Sequence, residues 1–350
     1  MRRLFSLSLM LSLILAMLPM SRQLAAQGEM PAPVEELAVN EAAGRVVIVV
    51  VNGGILIGTL ENPIEAGTRP PVPSLINTDR AGIILGAVQW TSPSSQKDLA
   101  RLDIELPHLR DANVSAGETP HLGAAAAQSG QEASDIEAIG KPLRDRIAAV
   151  AGAIHNKLDW PANEPVVELV LADYLPDYGP EVWQVSYGIE QEQQHGDFWV
   201  TNIGHPVYEQ AWPPEKGQPH TLMEFNYPPE NAAPSILDLL RQRNPKLDAL
   251  AHSDSKMSEV ANRILQGDTR KIPLADATQF LRAALDAVKP PNARETISVI
   301  REITGFEWIL QPPSEPKATT GAQADRPAGA PTLIHPSSAA PGPGHPPNSR

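Results

Sequence analysis

The sequence contains no cysteine among its 350 residues. That absence excludes thiol catalysis, cysteine-based metal sites, lipid attachment at a cysteine and any disulfide framework. Without disulfides, we expect an ordinary apolar core to stabilise the fold.

Positive charge is scarce. The chain has 28 Lys and Arg residues against 41 Asp and Glu residues, which gives a formal net charge of −13. The first 26 residues carry three arginines and no acid, so their removal shifts the charge from −13 to −16. A chain this acidic repels phosphate backbones and anionic lipid surfaces. We expect no nucleic-acid partner.

The long apolar run of the sequence lies at its N terminus. Residues 1–26 begin with two arginines, continue with an apolar run from Leu4 to about Leu18 and end in small residues, which is typical of a secretory signal peptide cleaved after Ala26. No later stretch approaches the roughly twenty apolar residues of a transmembrane helix. We expect an exported protein, periplasmic or extracellular, with no membrane insertion after signal cleavage.

Two segments contain few large apolar side chains. The last forty residues, 311–350, include ten prolines and are predicted to form a disordered Pro-rich tail. Residues 111–134 have a similar composition and are predicted to form a flexible surface loop. With 27–43 assigned to an N-terminal extension, residues 44–310 remain as the globular domain.

The most apolar part of this domain is its beginning. The runs Val46–Val51 and Ile55–Leu60 flank Asn52-Gly53-Gly54, a turn sequence that accepts positive φ and predicts a β-hairpin. Because both faces of both strands are apolar, both faces need cover. The pattern therefore predicts an inner pair of strands that is buried between other elements.

The remaining elements come in blocks. Further strands are predicted at Leu75–Thr78, Ile83–Val88, Pro165–Ala172, Val182–Ile189 and Phe198–Ile203 and, as one or two strands, within Glu295–Leu310. Helices are predicted at Ile136–Leu158 with a start near Lys141, after the N-cap Ser235, at Lys256–Leu265 and at Pro273–Val288. Consecutive strands favour largely antiparallel sheets, with helices packed outside them.

Together these segments resemble a known family. The hairpin VVIVVVNGGILIGTL is followed by LINTDRAGIILGAV, by VVELVLADYLPDYGPEVWQVSY and by the helix PLADATQFLRAALDAV before a final strand. This succession is similar to the proteasome-like branch of the N-terminal nucleophile (Ntn) hydrolase superfamily, over most of Arg45–Leu310. The resemblance implies an α+β fold, a four-layer αββα sandwich of two largely antiparallel sheets between helix layers, in which the first hairpin is central.

The chemistry of that family requires a Thr, Ser or Cys as the first residue of the mature chain, whose own α-amine acts as the base. The resemblance places this residue at about Gly44. No Ser, Thr or Cys occurs between Arg22 and Gly58. Trimming the chain anywhere up to the hairpin therefore cannot expose a suitable nucleophile.

The supporting positions also depart from the family pattern. The aspartate of the family falls near Leu60, with Glu61 one place away, and its lysine falls about Pro73 or Ser74, where the nearby base is Arg69. The resemblance thus implies a catalytically inactive relative that acts in binding or assembly. It leaves a homo-oligomer open, since family members often form rings through their helix layers. We expect no cofactor, and the sequence identifies no other partner.

Two catalytic alternatives remain at this point. The first is an amide or peptide hydrolase with a relocated nucleophile, for which the hydroxyls near the first sheet are Thr59, Ser74 and Thr78, with Glu61 as a relocated acid. The second is a metal-dependent enzyme that uses the loop histidines His195, His205 and His220. Those histidines lack the i, i+4 spacing of a helical zinc motif, which favours ordinary loop residues.

The middle of the chain holds two further features. Asp173 and Asp177 have a spacing seen in calcium loops, but the remaining ligands of such a loop are absent, and a turn between two strands explains the segment better. Several aromatic residues crowd the same third of the chain. They favour a buried core over a ligand groove. They are Trp183, Trp199, Trp212, Tyr187, Tyr208 and Tyr227.

Overall fold

A computed structural model of the chain describes residues 38–62, 68–92, 95, 97–109, 135–152, 164–175, 178–193, 199–229 and 234–312. The chain divides into a unit that ends at Pro312 and a second unit, Pro313–Arg350. The predicted signal peptide at 1–26, the predicted loop at 111–134 and the predicted tail beyond Pro312 lie outside the described residues, as does the Asp177 position.

The described part of the chain is α+β, with fourteen strands. They are β1 Ala38–Ala42, β2 Gly44–Val51, β3 Gly54–Glu61, β4 Ser74–Asn77, β5 Arg80–Ser92, β6 Lys97–Arg101, β7 Val167–Leu175, β8 Gly179–Tyr187, β9 Ile189–Gln193, β10 Trp199–Ile203, β11 Val207–Trp212, β12 Met223–Tyr227, β13 Glu295–Arg301 and β14 Gly305–Leu310.

These strands form three sheets in which all neighbouring strands are antiparallel. A seven-stranded sheet has the order β1-β5-β7-β8-β11, and β4 and β6 also pair with β5. A five-stranded sheet has the order β12-β2-β3-β13-β14. Strands β9 and β10 form a separate pair. The predicted antiparallel character of the sheets is confirmed.

Six α-helices lie in the described ranges: α1 Leu102–Glu105, α2 Asp135–Gly152, α3 Ile236–Arg241, α4 Pro245–Ala251, α5 Ser255–Gln266 and α6 Leu274–Val288. The predicted N-cap of α3 is confirmed, since the Ser235 hydroxyl accepts a hydrogen bond from the Asp238 backbone N–H at 2.9 Å. None of the described helices combines the length and the apolar character that crossing a bilayer requires.

The predicted hairpin of β2 and β3 is confirmed, and it is buried on both faces. Its turn residue Gly53 has φ +78°, a conformation that glycine adopts at no steric cost. Every residue of both strands is buried. The sequence pattern therefore predicted both the strands and their environment.

Alternate side chains of the hairpin pack against different elements. One face contributes Val47, Val49 and Leu56 to an apolar cluster with residues of helices α3 to α6. The other face contributes Ile48 and Ile57 to a cluster with β5, β7 and β8 of the seven-stranded sheet. The five-stranded sheet is thus covered by helices on one side and by a second sheet on the other.

Helix α2 begins earlier than the sequence predicts. It starts at Asp135 rather than near Lys141, so Pro142 lies inside the helix and not in its first turn. Ile136 and Ile139 precede the proline and are buried against the seven-stranded sheet. Their burial outweighs the backbone hydrogen bond that the proline removes, which explains the correction.

Several strands were not predicted. Strand β1 lies in the segment assigned to the N-terminal extension, and it pairs with β5. Strands β11 and β12 form sheet edges in the aromatic region. Asp173 lies within β7 and not in a turn, and it accepts a hydrogen bond from Arg80 Nε at 2.9 Å in a buried ion pair. These placements depend on strand pairing between distant segments, which local patterns do not report.

We expect Pro142→Ala to stabilise the protein by about 1–3 kcal/mol, because alanine supplies the N–H that Pro142 lacks and has a higher helix propensity. Chemical denaturation of the variant and of a control, Lys141→Ala at an exposed neighbouring position, measures this gain. Loss of stability in Pro142→Ala relative to the control would show that packing of α2 requires the proline.

Candidate functional site

A pocket of about 70 Å³ lies where β2 begins and where β3 and β12 end. Its walls come from three strand ends and from the segment that follows α6. The lining residues are Gly44, Arg45, Leu60, Glu61, Asn62, Asn226, Tyr227, Pro228, Val288 and Pro290. The pocket therefore lies at Gly44 and Leu60, the positions to which the resemblance assigns the nucleophile and the aspartate of the family.

Gly44 leaves no room for a side chain. A Cβ atom at this position would lie 2.2 Å from the carbonyl oxygen of Leu60 and 2.9 Å from Cδ of Pro71. Real Cβ atoms do not approach neighbours so closely, and the first of these neighbours is backbone. A threonine, serine or cysteine therefore cannot replace Gly44 without a shift of the hairpin.

The residues immediately before Gly44 are part of the sheet structure. Strand β1 ends at Ala42, and the Ala43 N–H donates to the Arg69 carbonyl at 3.1 Å. The Ala43 carbonyl accepts from the Asn62 N–H at 3.0 Å, and Arg69 N–H donates to the Glu41 carbonyl at 2.8 Å. The nitrogen of Gly44 is thus a peptide nitrogen within paired backbone, unlike the free amine that the family uses as its base.

Glu61 is held by Arg294. The two arginine groups Nε and Nη2 donate to separate oxygens of the Glu61 carboxylate at 2.9 and 2.6 Å, and the Arg294 backbone N–H donates at 3.1 Å. Burial acts to raise the pKa of Glu61, but the hydrogen bonds and charge of Arg294 outweigh it and lower the pKa below its usual value. Glu61 is therefore an ionised structural acid and a poor proton donor.

A second ion pair involves Arg45, which also lines the pocket. Arg45 Nη1 lies 3.1 Å from Glu224 Oε2, both side chains are buried, and Arg45 Nε donates to Asn226 Oδ1 at 3.0 Å. The other Glu224 oxygen accepts from the Ile236 N–H at 2.7 Å, at the start of α3. Burial lowers the pKa of Arg45 and raises that of Glu224, and the mutual attraction of the two charges opposes both shifts.

The three candidate hydroxyls do not meet at one place. Thr59 is buried and shares a 2.7 Å hydrogen bond with Thr296. The Ser74 hydroxyl donates to the Asp103 carbonyl at 2.8 Å, and the Thr78 hydroxyl donates to Asp79 Oδ2 at 3.1 Å in the turn between β4 and β5. None of these three hydrogen bonds involves an imidazole or an amine.

The loop histidines are also separate in the described structure. His205 is exposed between β10 and β11, whereas the His220 ring lies 4.8 Å from the Trp212 ring, between ring centroids. His195 lies outside the described residues. Within the described ranges, no group of three or more His, Cys, Asp or Glu side chains could hold a metal ion.

The crowded aromatic residues contribute to both the core and the pocket. Tyr187 and Trp212 are buried core residues. Tyr227 is buried as well, yet it also lines the pocket at the end of β12. The Trp199 side chain lies outside the described part of the structure, so its place in the core stays a prediction.

The pocket residues Arg45 and Asn226, and Arg294 as the partner of Glu61, were not predicted from the sequence. A signal for Arg45 was available, because it is a lone charge in the otherwise apolar strand GRVVIVVV and a buried charge requires a partner. Its partners lie 179 to 181 positions away, and pairing of β12 with β2 brings them together. Local sequence patterns carry no information on such a pairing.

Comparisons with known proteins add no family assignment. No protein-family model matches the sequence, and the search of curated proteins gives no significant match.

We expect Gly44→Thr, which places the family nucleophile at the position implied by the resemblance, to destabilise the protein by more than about 2 kcal/mol, since the new Cβ displaces the Leu60 carbonyl. Gly188→Ala is the control, because nothing lies within 4 Å of a Cβ at that position. Denaturation midpoints measure both variants. Equal stability of the two would contradict the steric argument.

Proposed function

We propose that this chain is an exported, catalytically inactive member of the proteasome-like branch of the Ntn hydrolases, which acts in binding or assembly. The proposal includes the four-layer αββα arrangement and a location in the periplasm or outside the cell. The single observation that carries it is the environment of Gly44, where a side chain has no room and the preceding residues are held in backbone hydrogen bonds.

The packing clusters support the four-layer arrangement. Helix α2 contacts one face of the seven-stranded sheet through Ile139 and Leu143, and the opposite face of that sheet contacts β2 and β3. The other face of the five-stranded sheet contacts α3 to α6. These contacts support the proposed order of helix, sheet, sheet and helix, with the first hairpin in an inner sheet.

The pocket at Gly44 supports a binding role. It retains an opening at the strand ends, although no candidate nucleophile lines it. Its charged groups, Arg45 and Glu61, are held in ion pairs with Glu224 and Arg294. A concave site whose polar groups are fixed in place can orient a ligand without catalysing its reaction.

The alternative of a relocated nucleophile gains no support from the hydroxyl contacts. A nucleophilic hydroxyl needs a base that accepts its proton. Thr59 is buried against another threonine, Ser74 donates to a backbone carbonyl of helix α1, and Thr78 donates to the carboxylate of the next residue. The metal-dependent alternative likewise gains no support from His205 and His220, which take part in no metal-binding group in the described structure.

Export and inactivity can be tested on one preparation. We expect intact-mass analysis of the exported protein to place its first residue at Gln27. We then expect fluorophosphonate and β-lactone probes to leave that mass unchanged, and a panel of chromogenic amides to show no turnover. A serine hydrolase treated in parallel shows that the probes are active.

Covalent labelling that disappears in Thr78→Val or Ser74→Ala would overturn the proposal in favour of a relocated nucleophile. A mature chain that begins at a serine or threonine beyond Gly58 would overturn it as well, because that residue would carry both a hydroxyl and a free amine. A mature chain that retains residues 1–26 would contradict export by signal cleavage.

A further inference from the structure

We propose that Tyr227, Glu41, Glu164 and Glu168 form a pH-sensitive latch that controls one wall of the pocket. We call this group the Tyr227 latch. In the closed state Tyr227 is seated on the seven-stranded sheet, and ionisation of Glu168 loosens it. The inference rests on the proposed function in one respect, which is that the site controlled by the latch is the proposed binding pocket.

The latch begins with a close contact between the two sheets. A Cβ atom on Gly86 of β5 would lie 3.2 Å from the Tyr227 ring, so the ring packs directly over this glycine. Tyr227 is the last residue of β12, which is an edge strand of the five-stranded sheet and pairs with β2. The same tyrosine lines the pocket. Its contact with Gly86 therefore links a pocket wall to the opposite sheet.

Strand register places acidic residues around this contact. Gly86 lies between Ala42 of β1 and Val167 of β7, so Glu41 and Glu168 come next along the two neighbouring strands. Glu168 shares a face of β7 with Val170, which packs in the cluster between the sheets. Burial and the charges of Glu41, Glu164 and Glu168 raise the pKa of Tyr227 above its usual value. The ring is thus neutral and surrounded by carboxyl groups.

Glu168 is the member of the group that titrates near neutrality. Burial, opposed by a 3.0 Å hydrogen bond from Gln184 Nε2 and assisted by the charge of Glu209, raises the pKa of Glu168 to about 7. Gln184 from β8 and Glu209 from β11 act on Glu168, whereas Glu41 from β1, Glu164 before β7 and Glu168 itself act on Tyr227 of β12. The ionisable groups in this set are all acids, and the set contains no Lys or Arg.

The direction of the effect follows from linkage. A carboxyl group whose pKa is higher in the folded protein than in the unfolded chain favours the closed state when it is protonated. That contribution is complete below the ordinary pKa of a glutamate and is lost as the pH rises through about 7. Above that pH the charged form of Glu168, which burial and the charge of Glu209 disfavour, is better hydrated when the contact of Tyr227 with the seven-stranded sheet opens. The element that carries Tyr227 is β12, a five-residue edge strand of the five-stranded sheet.

Hydrogen exchange of the mature full-length chain tests the latch. Protection factors, which correct for the chemical pH dependence of exchange, are measured for peptides that cover β12 at pH 6 and pH 8.5. We expect the protection of β12 to fall about tenfold or more at the higher pH, as expected for a shift of one or more pKa units. In Glu168→Gln, which is neutral at both pH values and retains an acceptor for Gln184, we expect no such fall.

Two further variants complete the test. Asp286→Asn, at an exposed acid on α6, serves as the control and should behave as the unchanged protein. Glu209→Gln should reduce the fall without abolishing it, since Glu209 contributes to the raised pKa. The hydrogen-exchange test measures no reaction. Enzymatic turnover would therefore contradict the proposed function without changing the result for the latch.

Three outcomes would overturn the latch. One is a fall in the protection of β12 in Glu168→Gln that is as large as the fall in the unchanged protein. A second is constant protection of β12 between pH 6 and pH 8.5. The third is an equal loss of protection in β13, because that result shows a change in global stability and not a local release of β12.

Discussion

The structure depends on the burial of one hairpin from both sides. Strands β2 and β3 carry apolar side chains on both of their faces, and burial of those side chains is the main source of favourable free energy available to this part of the chain. A sheet built on such strands cannot leave either face in water. The seven-stranded sheet covers one face and the helices α3 to α6 cover the other. The positions of these elements follow from that requirement.

The same burial determines the chemistry at the end of the hairpin. Because β2 and β3 pair along their whole length, the backbone of Leu60 lies against Gly44 and leaves no space for a side chain there. Arg45 is buried with the strand and needs a carboxylate partner, which β12 supplies as Glu224. The pocket is therefore formed by fixed ion pairs and backbone. We regard a binding role as the function that such a site supports best.

The sheet contact also accounts for the acidic group near Tyr227. A tyrosine packed over a glycine joins the two sheets closely, and the neighbouring register positions then carry Glu41 and Glu168. Charges that are harmless on a solvated surface interact strongly where water is partly excluded. The proposed latch arises from this combination of tight packing and like charge.

Prediction from the sequence succeeded where the signal was local and strong. The hairpin, the N-cap at Ser235 and helix α6 were predicted within one or two residues, because each depends on periodicity or on a turn or cap residue. Prediction was less accurate for α2, where burial of Ile136 and Ile139 extends the helix past a proline. It missed β1, β11 and β12, which are short strands with mixed or exposed faces.

For the site, the sequence by itself determined that the nucleophile of the family is missing, because no Ser, Thr or Cys lies between Arg22 and Gly58. An absence of residue types can be read without a structure. It also determined that β2 and β3 are strands that need cover on both faces. Only the tertiary structure decided which groups meet at the pocket, because Arg45 with Glu224, Glu61 with Arg294 and Tyr227 with Gly86 are pairs more than a hundred residues apart. Such contacts are set by strand order and register, and these result from the packing of the whole core.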